Sequence, residues 1–216
     1  MYQRRTTYYL LPTTHYPLPQ AFMVMPAPPT PAFASDRLQR HFNCNQLLPL
    51  RPDILWKIER GVVRTLTWNE EGRPITLGYW GIGDVVGRPL SQLEPYQIEC
   101  LTSVEVSPLP SHLWYLAVDA MLTHIQRSEE LLSIVNGRPV PLRLLQLLGW
   151  LARKFGREVD GGQLIEVPLT HQALSEAICT TRVTVTRLLN QFEQQGLISR
   201  HGRYLVLCGQ TQKIQF

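Results

Sequence analysis

Residues 180–189, TTRVTVTRLL, constrain the fold more than any other stretch of this chain. Their β-branched threonines and valines are typical of a β-strand. A strand, however, would place Leu188 and Leu189 on opposite faces and would leave the following NQFEQQ without a partner. At about 100° per residue, a helix instead separates an apolar face from a polar one. The apolar face carries Val185, Leu188, Leu189 and Phe192, and the other face carries Arg182, Val183, Thr186, Arg187 and Asn190. The segment is therefore predicted to be a helix.

A second helix is predicted just before this one. Thr170 is a favourable N-cap for a helix over residues 171–178, and Thr180 or Thr181 can cap the helix that follows. Gly196 is a suitable residue to end the second helix. Two helices joined by about three residues, the second with arginines near its start, are typical of a DNA-binding helix-turn-helix.

The residue types on the polar face fit the major groove. Arginine can donate two parallel hydrogen bonds to guanine, so Arg182 and Arg187 are candidate base-reading residues. Val183 and Thr186 are small enough to let the backbone approach the bases, and their methyl groups can contact thymine. Hydroxyl and amide groups at the two helix N-termini suit phosphate oxygens.

The end of the chain extends this interpretation. SRHGRYLVLCG predicts a hairpin with a basic tip at residues 201–203, which would act as a wing beside the groove. Residues 136–216 contain ten Lys and Arg against five Asp and Glu, whereas residues 1–135 carry a net charge of −1. An excess of positive charge in the C-terminal part is what a module that faces phosphates requires.

The whole sequence predicts an α+β protein of four segments. Residues 1–41 are a proline-rich extended tail, and residues 42–110 contain short alternating strands typical of a compact antiparallel roll. Residues 111–135 have helical spacing and are predicted to be a dimerisation helix, with packing on the chain's own roll as the alternative. Residues 136–216 hold the winged helix-turn-helix, preceded by a helix at LRLLQLLGWLARKFG, a turn at REVDGGQ and a strand at IEVPL. The residues assigned to the dimer helix are Leu113, Leu116, Ala117, Ala120, Met121, His124 and Leu131.

LTHQALSEAICTTRVTVTRLLNQFEQQGLISRHGRYLVL resembles the DNA-binding domain of the cyclic-AMP receptor / fumarate-nitrate regulator (CRP/FNR) family, and TRVTVTRLL is most similar to the cyanobacterial global nitrogen regulator. LWKIERGVVRTLTW and the GDVVG turn resemble the family's cyclic-nucleotide-binding-like jelly roll. The resemblance implies that the protein binds a palindromic double-stranded DNA site as a homodimer. It also implies that Arg182, Val183 and Arg187 contact the bases. We add Thr186 to the base-contacting residues because it lies on the same face of the helix. The residues expected to contact phosphates are Thr170, His171, Gln172, Thr180, Thr181, Thr184, His201 and Arg203.

The sensor departs from the family pattern at two positions. Arg88 stands where the family has the ribose-binding glutamate, and Glu94 is the best match to the phosphate-binding arginine. A carboxylate repels a phosphate, so cyclic AMP is disfavoured as the effector. The arginine pattern that binds 2-oxoglutarate in the nitrogen regulator is also missing, and the effector stays open.

No cofactor or metal is predicted. The four cysteines are scattered without a CxxC pair, which argues against zinc and iron–sulfur sites, and haem on Cys100 and His112 is unsupported. A cupin-type metalloenzyme needs histidines inside the roll, and none lies between Asn43 and Ser111. We therefore expect a regulator and not an enzyme, with a ligand- or partner-binding roll whose DNA-binding module is vestigial as the alternative.

The remaining expectations concern partners and location. The resemblance implies contacts with RNA polymerase as a further interaction, which leaves open whether the protein activates or represses. The sequence has no apolar run of about 20 residues and no signal peptide, so a cytoplasmic protein without a membrane partner is expected.

Overall fold

Short alternating strands build the N-terminal roll. The computed structural model describes residues 39–136 and 139–209, so the predicted tail lies outside the described residues except for its last three. Arg40 and His41 already belong to a strand that pairs with the last strand of the roll. The strands of the roll are β1 (Arg40–Phe42), β2 (Ile54–Arg60), β3 (Val63–Trp68), β4 (Pro74–Trp80), β5 (Val85–Val86), β6 (Gln97–Cys100) and β7 (Val104–Pro110).

Two antiparallel sheets enclose the core of the roll. One has the order β1-β7-β2-β5 and the other β4-β3-β6. Their apolar side chains meet in one cluster that includes Trp56, Ile58, Trp80, Ile98 and Val106, all at most 1% exposed. The hairpin predicted at NEEG joins β3 to β4. Its turn is closed by the Asn69 side chain, whose Oδ1 accepts from the backbone N–H of Glu71 and Arg73 at 3.1 and 2.8 Å.

The predicted long helix is divided into two parts. Residues 111–117 form a 3₁₀ helix, and the α-helix α1 covers Val118–Val135. The indole Nε1 of Trp114 donates to the carbonyl oxygen of Leu109 at 3.0 Å and ties the tighter segment to the end of β7. The α-helix therefore starts seven residues later than the spacing of apolar residues predicted.

The C-terminal part contains three helices and a four-stranded sheet. Helix α2 covers Val140–Phe155, with residues 144–152 buried. The turn predicted at REVDGGQ is shorter than expected: it occupies Asp160 and Gly161, where Gly161 adopts a φ of +92°, and the flanking residues pair as β8 (Gly156–Val159) and β9 (Gly162–Ile165). The remaining elements are α3 (His171–Ala177), α4 (Arg182–Gln194), β10 (Ile198–His201) and β11 (Tyr204–Cys208). The sheet order is β10-β11-β9-β8.

The roll and the C-terminal part share a continuous core. Tyr79 of β4 and Leu131 of α1 lie in the same buried cluster as Leu144 of α2, Leu174 of α3 and Leu189 of α4. Helices α2 and α3 thus pack directly against β4 of the roll, α2 through Trp150, whose ring centre lies 6.4 Å from that of Tyr79. No helix in the described part of the chain is both long and apolar enough to cross a membrane.

Candidate nucleic-acid interface

Threonine caps define where α3 and α4 begin. Thr170 Oγ1 accepts from the backbone N–H of Ala173 at 3.0 Å, and Thr181 Oγ1 accepts from the backbone N–H of Thr184 at 3.2 Å. Each bond satisfies one of the four N–H groups that a helix leaves free at its start. Thr181 Oγ1 also lies 2.9 Å from Thr184 Oγ1. Thr181, and not Thr180, is therefore the cap of the second helix.

The connection between the two helices is short, and one residue in it, Cys179, adopts a left-handed backbone conformation. Cys179 has a φ of +52°, which is uncommon outside glycine. The backbone N–H of Thr180 donates to the carbonyl of Ser175 at 2.9 Å and closes the turn. Only residues 178–181 separate α3 from α4. The helix-turn-helix predicted from the sequence is confirmed.

Helix α4 ends at the predicted glycine. Gly196 has a φ of +68°, and its N–H donates to the carbonyl of Glu193 at 3.0 Å. The N–H of Leu197 donates to the carbonyl of Phe192 at 2.9 Å. These two bonds form a Schellman motif, in which glycine carries no steric cost at a positive φ.

The two predicted faces of α4 differ sharply in burial. Val185, Leu188, Leu189 and Phe192 are at most 5% exposed, whereas Val183 is 78% exposed. Arg182, Arg187 and Asn190 are exposed on the other face, where Thr186 is half-buried. The residue types that looked like a strand thus form a helix with one face in the core and one face free.

The residues predicted to contact phosphates differ in exposure. The exposed ones are Thr170, Gln172, Thr181, His201 and Arg203, and the half-buried ones are His171, Thr180 and Thr184. His201 and Arg203 flank Gly202 at the hairpin between β10 and β11, as predicted. Arg203 lies against its neighbour, with its guanidinium 5.2 Å from the ring centre of Tyr204.

His171 connects α3 to α4. Its Nδ1 lies 2.8 Å from Thr186 Oγ1, so the first residue of α3 contacts the outer face of α4. Burial lowers the pKa of His171 from its ordinary value, and the positive charges of Arg200 and Arg182 lower this pKa further. These two arginines come from different elements, Arg200 from β10 and Arg182 from α4.

Arg200 is a residue of this surface that the sequence analysis missed. Its Nη2 donates to Asn190 Oδ1 at 2.7 Å, and its Nη1 lies 3.4 Å from Glu193 Oε2. These contacts attach the wing to α4. Its position in the basic SRHGR segment was the available signal, but the prediction gave that role to the tip residues alone.

Comparison with known proteins gives the same architecture. Residues 142–209 match the Crp-like helix-turn-helix domain. The chain is 43% identical over 169 residues to the regulatory protein CysR of Synechococcus elongatus, covering 74% of this chain and 79% of that protein. The chain belongs to the CRP/FNR family of transcription regulators. It is a DNA-binding member, because the matched domain is the helix-turn-helix described above.

Two further relatives extend the comparison. The global nitrogen regulator of a Nostoc species is 29% identical over 147 residues, which cover 68% of this chain and 61% of that protein. A CRP/FNR-family transcriptional regulator of Thermus thermophilus has a similar fold, with a TM-score of 0.67 and 20% identity, covering 82% of this chain and all of that one. The relation to cyanobacterial members that TRVTVTRLL indicated is confirmed.

Within this family member, the two residues that depart from the cyclic-AMP pattern contact each other. Arg88 Nη2 lies 2.6 Å from Glu94 Oε1, and Arg88 Nη1 donates to the carbonyl of Leu93 at 2.7 Å. A cavity of about 350 Å³ lies between the roll and α1. It is lined among others by Thr76, Leu77, Tyr96, His124 and Leu132, and no carboxylate, lysine or arginine is found among the described residues that line it.

The GDVVG turn joins three elements of the regulator. The buried Asp84 accepts from the backbone N–H of Gly81 at 2.8 Å. Its carboxylate also pairs with Lys154 of α2, with 2.8 Å between Nζ and Oδ2, and with Arg127 of α1. Burial lowers the pKa of Lys154 to about 8, although the charge of Asp84 opposes this shift. The turn thus ties the roll to α1 and to the first helix of the DNA-binding domain, α2.

The residues assigned to the dimer helix do not share one free face of this segment. Ala117 and Leu131 are buried in the chain's own core at 6% and 3% exposure. His124 stacks on Trp80 with ring centres 3.7 Å apart, and its Nδ1 donates to the carbonyl of Val85 at 3.1 Å. Leu113, Ala120 and Met121 are half-buried, and Leu116 is 51% exposed. The three- and four-residue spacing combined both faces of one helix, because both are apolar.

The exposed apolar face of residues 111–135 is formed by residues that differ from those assigned to the dimer helix. Tyr115, Val118, Leu122, Ile125 and Leu132 are between 49% and 68% exposed. Their spacings of three, four, three and seven residues follow the heptad pattern of a coiled-coil seam. An exposed stripe of this kind on a helix is typical of an interface.

Proposed function

We propose that the protein is a homodimeric transcription regulator that binds an inverted-repeat operator. The observation that carries this proposal is the free face of α4, where Arg182 and Arg187 are exposed beside Val183 at the start of a capped helix. A helix of this size fits the major groove, and its N-terminal residues are the ones that reach base edges in helix-turn-helix proteins.

The residues divide into two roles. Arg182 and Arg187 donate to guanine, while Val183 and Thr186 contact the bases through their methyl groups. The phosphates next to the groove are contacted by residues at the starts of α3 and α4, namely Thr170, His171, Gln172, Thr180, Thr181 and Thr184. The wing contacts the DNA backbone through His201 and Arg203. Arg200 supports this arrangement, because its hydrogen bond to Asn190 holds β10 against α4.

The second copy binds along α1. Val118, Leu122, Ile125 and Leu132 form the seam together with Tyr115, and a matching helix would remove these apolar side chains from water. In such a dimer, both copies of α4 would face the DNA on the same side. Two recognition helices about 34 Å apart would enter successive major grooves, which is why the operator is an inverted repeat.

We propose that cyclic AMP is not the effector. A cyclic nucleotide carries a negative charge, and the cavity between the roll and α1 offers neither lysine nor arginine among its described lining residues. Arg88, which could approach the site, is already paired with Glu94.

The remaining roles follow from DNA binding. The protein acts without catalysis, in the cytoplasm, and changes transcription through contacts with RNA polymerase. The homologues, which are transcription regulators, support this assignment.

The test is selection of binding sites from a random double-stranded DNA library, followed by fluorescence anisotropy on the selected duplex. We expect an inverted repeat to be enriched and its affinity to fall steeply as salt rises, because binding displaces counterions from several phosphates. The control is a duplex with one half-site scrambled, which should bind far more weakly. Absence of any enriched sequence would contradict the proposal and would favour a vestigial DNA-binding module.

A further inference from the structure

Thr186 makes two hydrogen bonds with a single proton. Its Oγ1 lies 2.9 Å from the carbonyl oxygen of Arg182, one turn earlier in α4, and 2.8 Å from Nδ1 of His171 in α3. A carbonyl oxygen can only accept a hydrogen bond. The Thr186 hydroxyl therefore donates to Arg182 and has no second proton for His171.

This arrangement fixes the tautomer of His171. If the Thr186 hydroxyl donated to His171, Thr186 Oγ1 would lie 2.9 Å from the carbonyl oxygen of Arg182 with no proton between these two oxygens. Two acceptors at this distance would repel each other. The arrangement that leaves both contacts bonded has the proton on Nδ1, which donates to Thr186. Neutral His171 then carries its unprotonated, accepting nitrogen at Nε2.

The charges around His171 favour its neutral form in the free protein. Of the elements packed against it, α4 contributes Arg182 and β10 contributes Arg200, and both are positive. The acidic side chains of these elements are paired with other cations: Glu193 of α4 with Arg200, and Glu176 of α3 with Arg64. Burial lowers the pKa of His171 in the same direction as these arginines. The free protein at neutral pH thus offers a DNA phosphate an acceptor and not a donor at this position.

We propose that His171 takes up one proton from solvent when the protein binds DNA. Nδ1 keeps its hydrogen bond to Thr186, and the new N–H at Nε2 donates to a backbone phosphate oxygen. The phosphate's negative charge stabilises the imidazolium and offsets the positive charges of Arg182 and Arg200. The inference rests on the proposed function, because it requires the start of α3 to face the DNA backbone.

Proton uptake makes operator affinity depend on pH. Binding that takes up a proton strengthens as pH falls, by up to about tenfold per pH unit for each His171 engaged. The pH dependence lies between the pKa of His171 in the free protein, which is below its usual value of about 6.5, and the higher pKa of His171 bound to phosphate. His171 thus reduces DNA affinity at alkaline pH, although Arg182 and Arg187 keep their charge there.

The test is anisotropy on the selected operator duplex from pH 6 to 8.5 at constant salt. Isothermal titration calorimetry in buffers of different ionisation enthalpy counts the protons taken up. We expect affinity to rise as pH falls, with up to one proton bound per protomer. His171→Gln can still donate to phosphate but cannot titrate, so its pH slope should be shallower than that of the wild type. His112→Gln, at an exposed position before α1, is the matched control and should keep the wild-type slope.

A second pair of variants tests the tautomer. Thr186→Val removes the oxygen that holds Nδ1–H, so neutral His171 can present Nε2–H to phosphate and the pH slope should decrease. Thr186→Ser retains the hydroxyl and should keep the slope. Nitrogen NMR of the free protein should report Nδ1–H for His171. An Nε2–H tautomer, or a His171→Gln slope equal to the wild-type slope, would overturn this inference alone. Absence of operator binding by the wild type at every pH would instead count against the proposed function.

Discussion

Arg64 in the roll and Glu176 in the DNA-binding domain form an ion pair, with 2.7 Å between Nη1 and Oε2, although 112 positions separate them in the sequence. Arg64 also contacts Glu99 at 2.5 Å through its Nε. Glu176 in turn accepts from Gln172 Nε2 at 2.8 Å. A side chain of the roll is thus linked through Glu176 to a residue of α3 that we assign to the DNA backbone.

This pair should be important for stability because it is nearly buried. The Arg64 and Glu176 side chains are only 12% and 9% exposed. Arg64→Met would leave two carboxylates close together without their cation, and we expect the free energy of unfolding to fall by about 2–4 kcal/mol. Arg73→Met is the control, since its pair with Glu71 is exposed, and should change the stability by less than about 0.5 kcal/mol. Urea unfolding measures both, and equal losses would contradict the assignment.

His124 should make the free energy of unfolding depend on pH. Burial against Trp80 lowers the pKa of His124 to about 4, from 6.5. The unfolded chain therefore binds more protons than the folded one between these two values, so stability is lost as pH falls through this window.

His124→Phe should keep the ring stacked on Trp80 but remove the titration. We expect the wild type to lose about 1–2 kcal/mol more than this variant between pH 6.5 and 5. Urea unfolding at each pH gives the difference between the two curves. Parallel curves would show that His124 does not titrate as described.

The cap of α4 should contribute to folding independently of DNA. Thr181→Ala removes the oxygen that accepts from Thr184 N–H, and we expect a loss of about 1 kcal/mol in the free energy of unfolding. Thr181→Ser retains the oxygen and should lose much less. Thermal unfolding of the protein without DNA distinguishes the two, and an Ala variant as stable as the Ser variant would argue against the cap.

The seam on α1 should control the oligomeric state. Glutamates at Leu122 and Ile125 would place four like charges between two helices, so the double variant Leu122→Glu/Ile125→Glu should be a monomer. Leu50→Glu, a change of the same type at an exposed position of the roll, should remain a dimer. Size-exclusion chromatography with light scattering gives the mass. A variant that stays dimeric would place the interface elsewhere.

Base reading and phosphate contact can be separated by specificity. Arg182→Ala should cost about 1–3 kcal/mol in operator binding and relax the preference at one base pair per half-site. Gln172→Ala should weaken binding about equally on the operator and on a scrambled duplex. Anisotropy on single-base operator variants measures both effects. An equal loss on all sequences for Arg182→Ala would make Arg182 a phosphate contact.

Local patterns in the sequence predicted the DNA-binding motif well. The two faces of α4, the caps at Thr170 and Thr181 and the terminating Gly196 all depend on residues within one or two helical turns, so their spacing is visible in the sequence. The hairpin at Asn69 was predicted for the same reason. Most of β8 and β9 was interpreted as a turn, because these residues by themselves resemble one and are stabilised as strands only by pairing of β9 with β8 on one side and with β11 on the other.

The sequence by itself determined the helix-turn-helix, the roll of short strands and a helix over most of residues 111–135, because hydrophobic periodicity and caps are short-range properties. Only the tertiary structure decided which face of α1 is free. Trp80 stacks on His124, Leu131 lies in the shared core and Ala117 is buried as well, and no local pattern distinguishes these three residues from Leu122 and Ile125. The same is true of the contact between His171 and Thr186, which depends on how two helices pack and therefore has no signature in the spacing of residues along the chain.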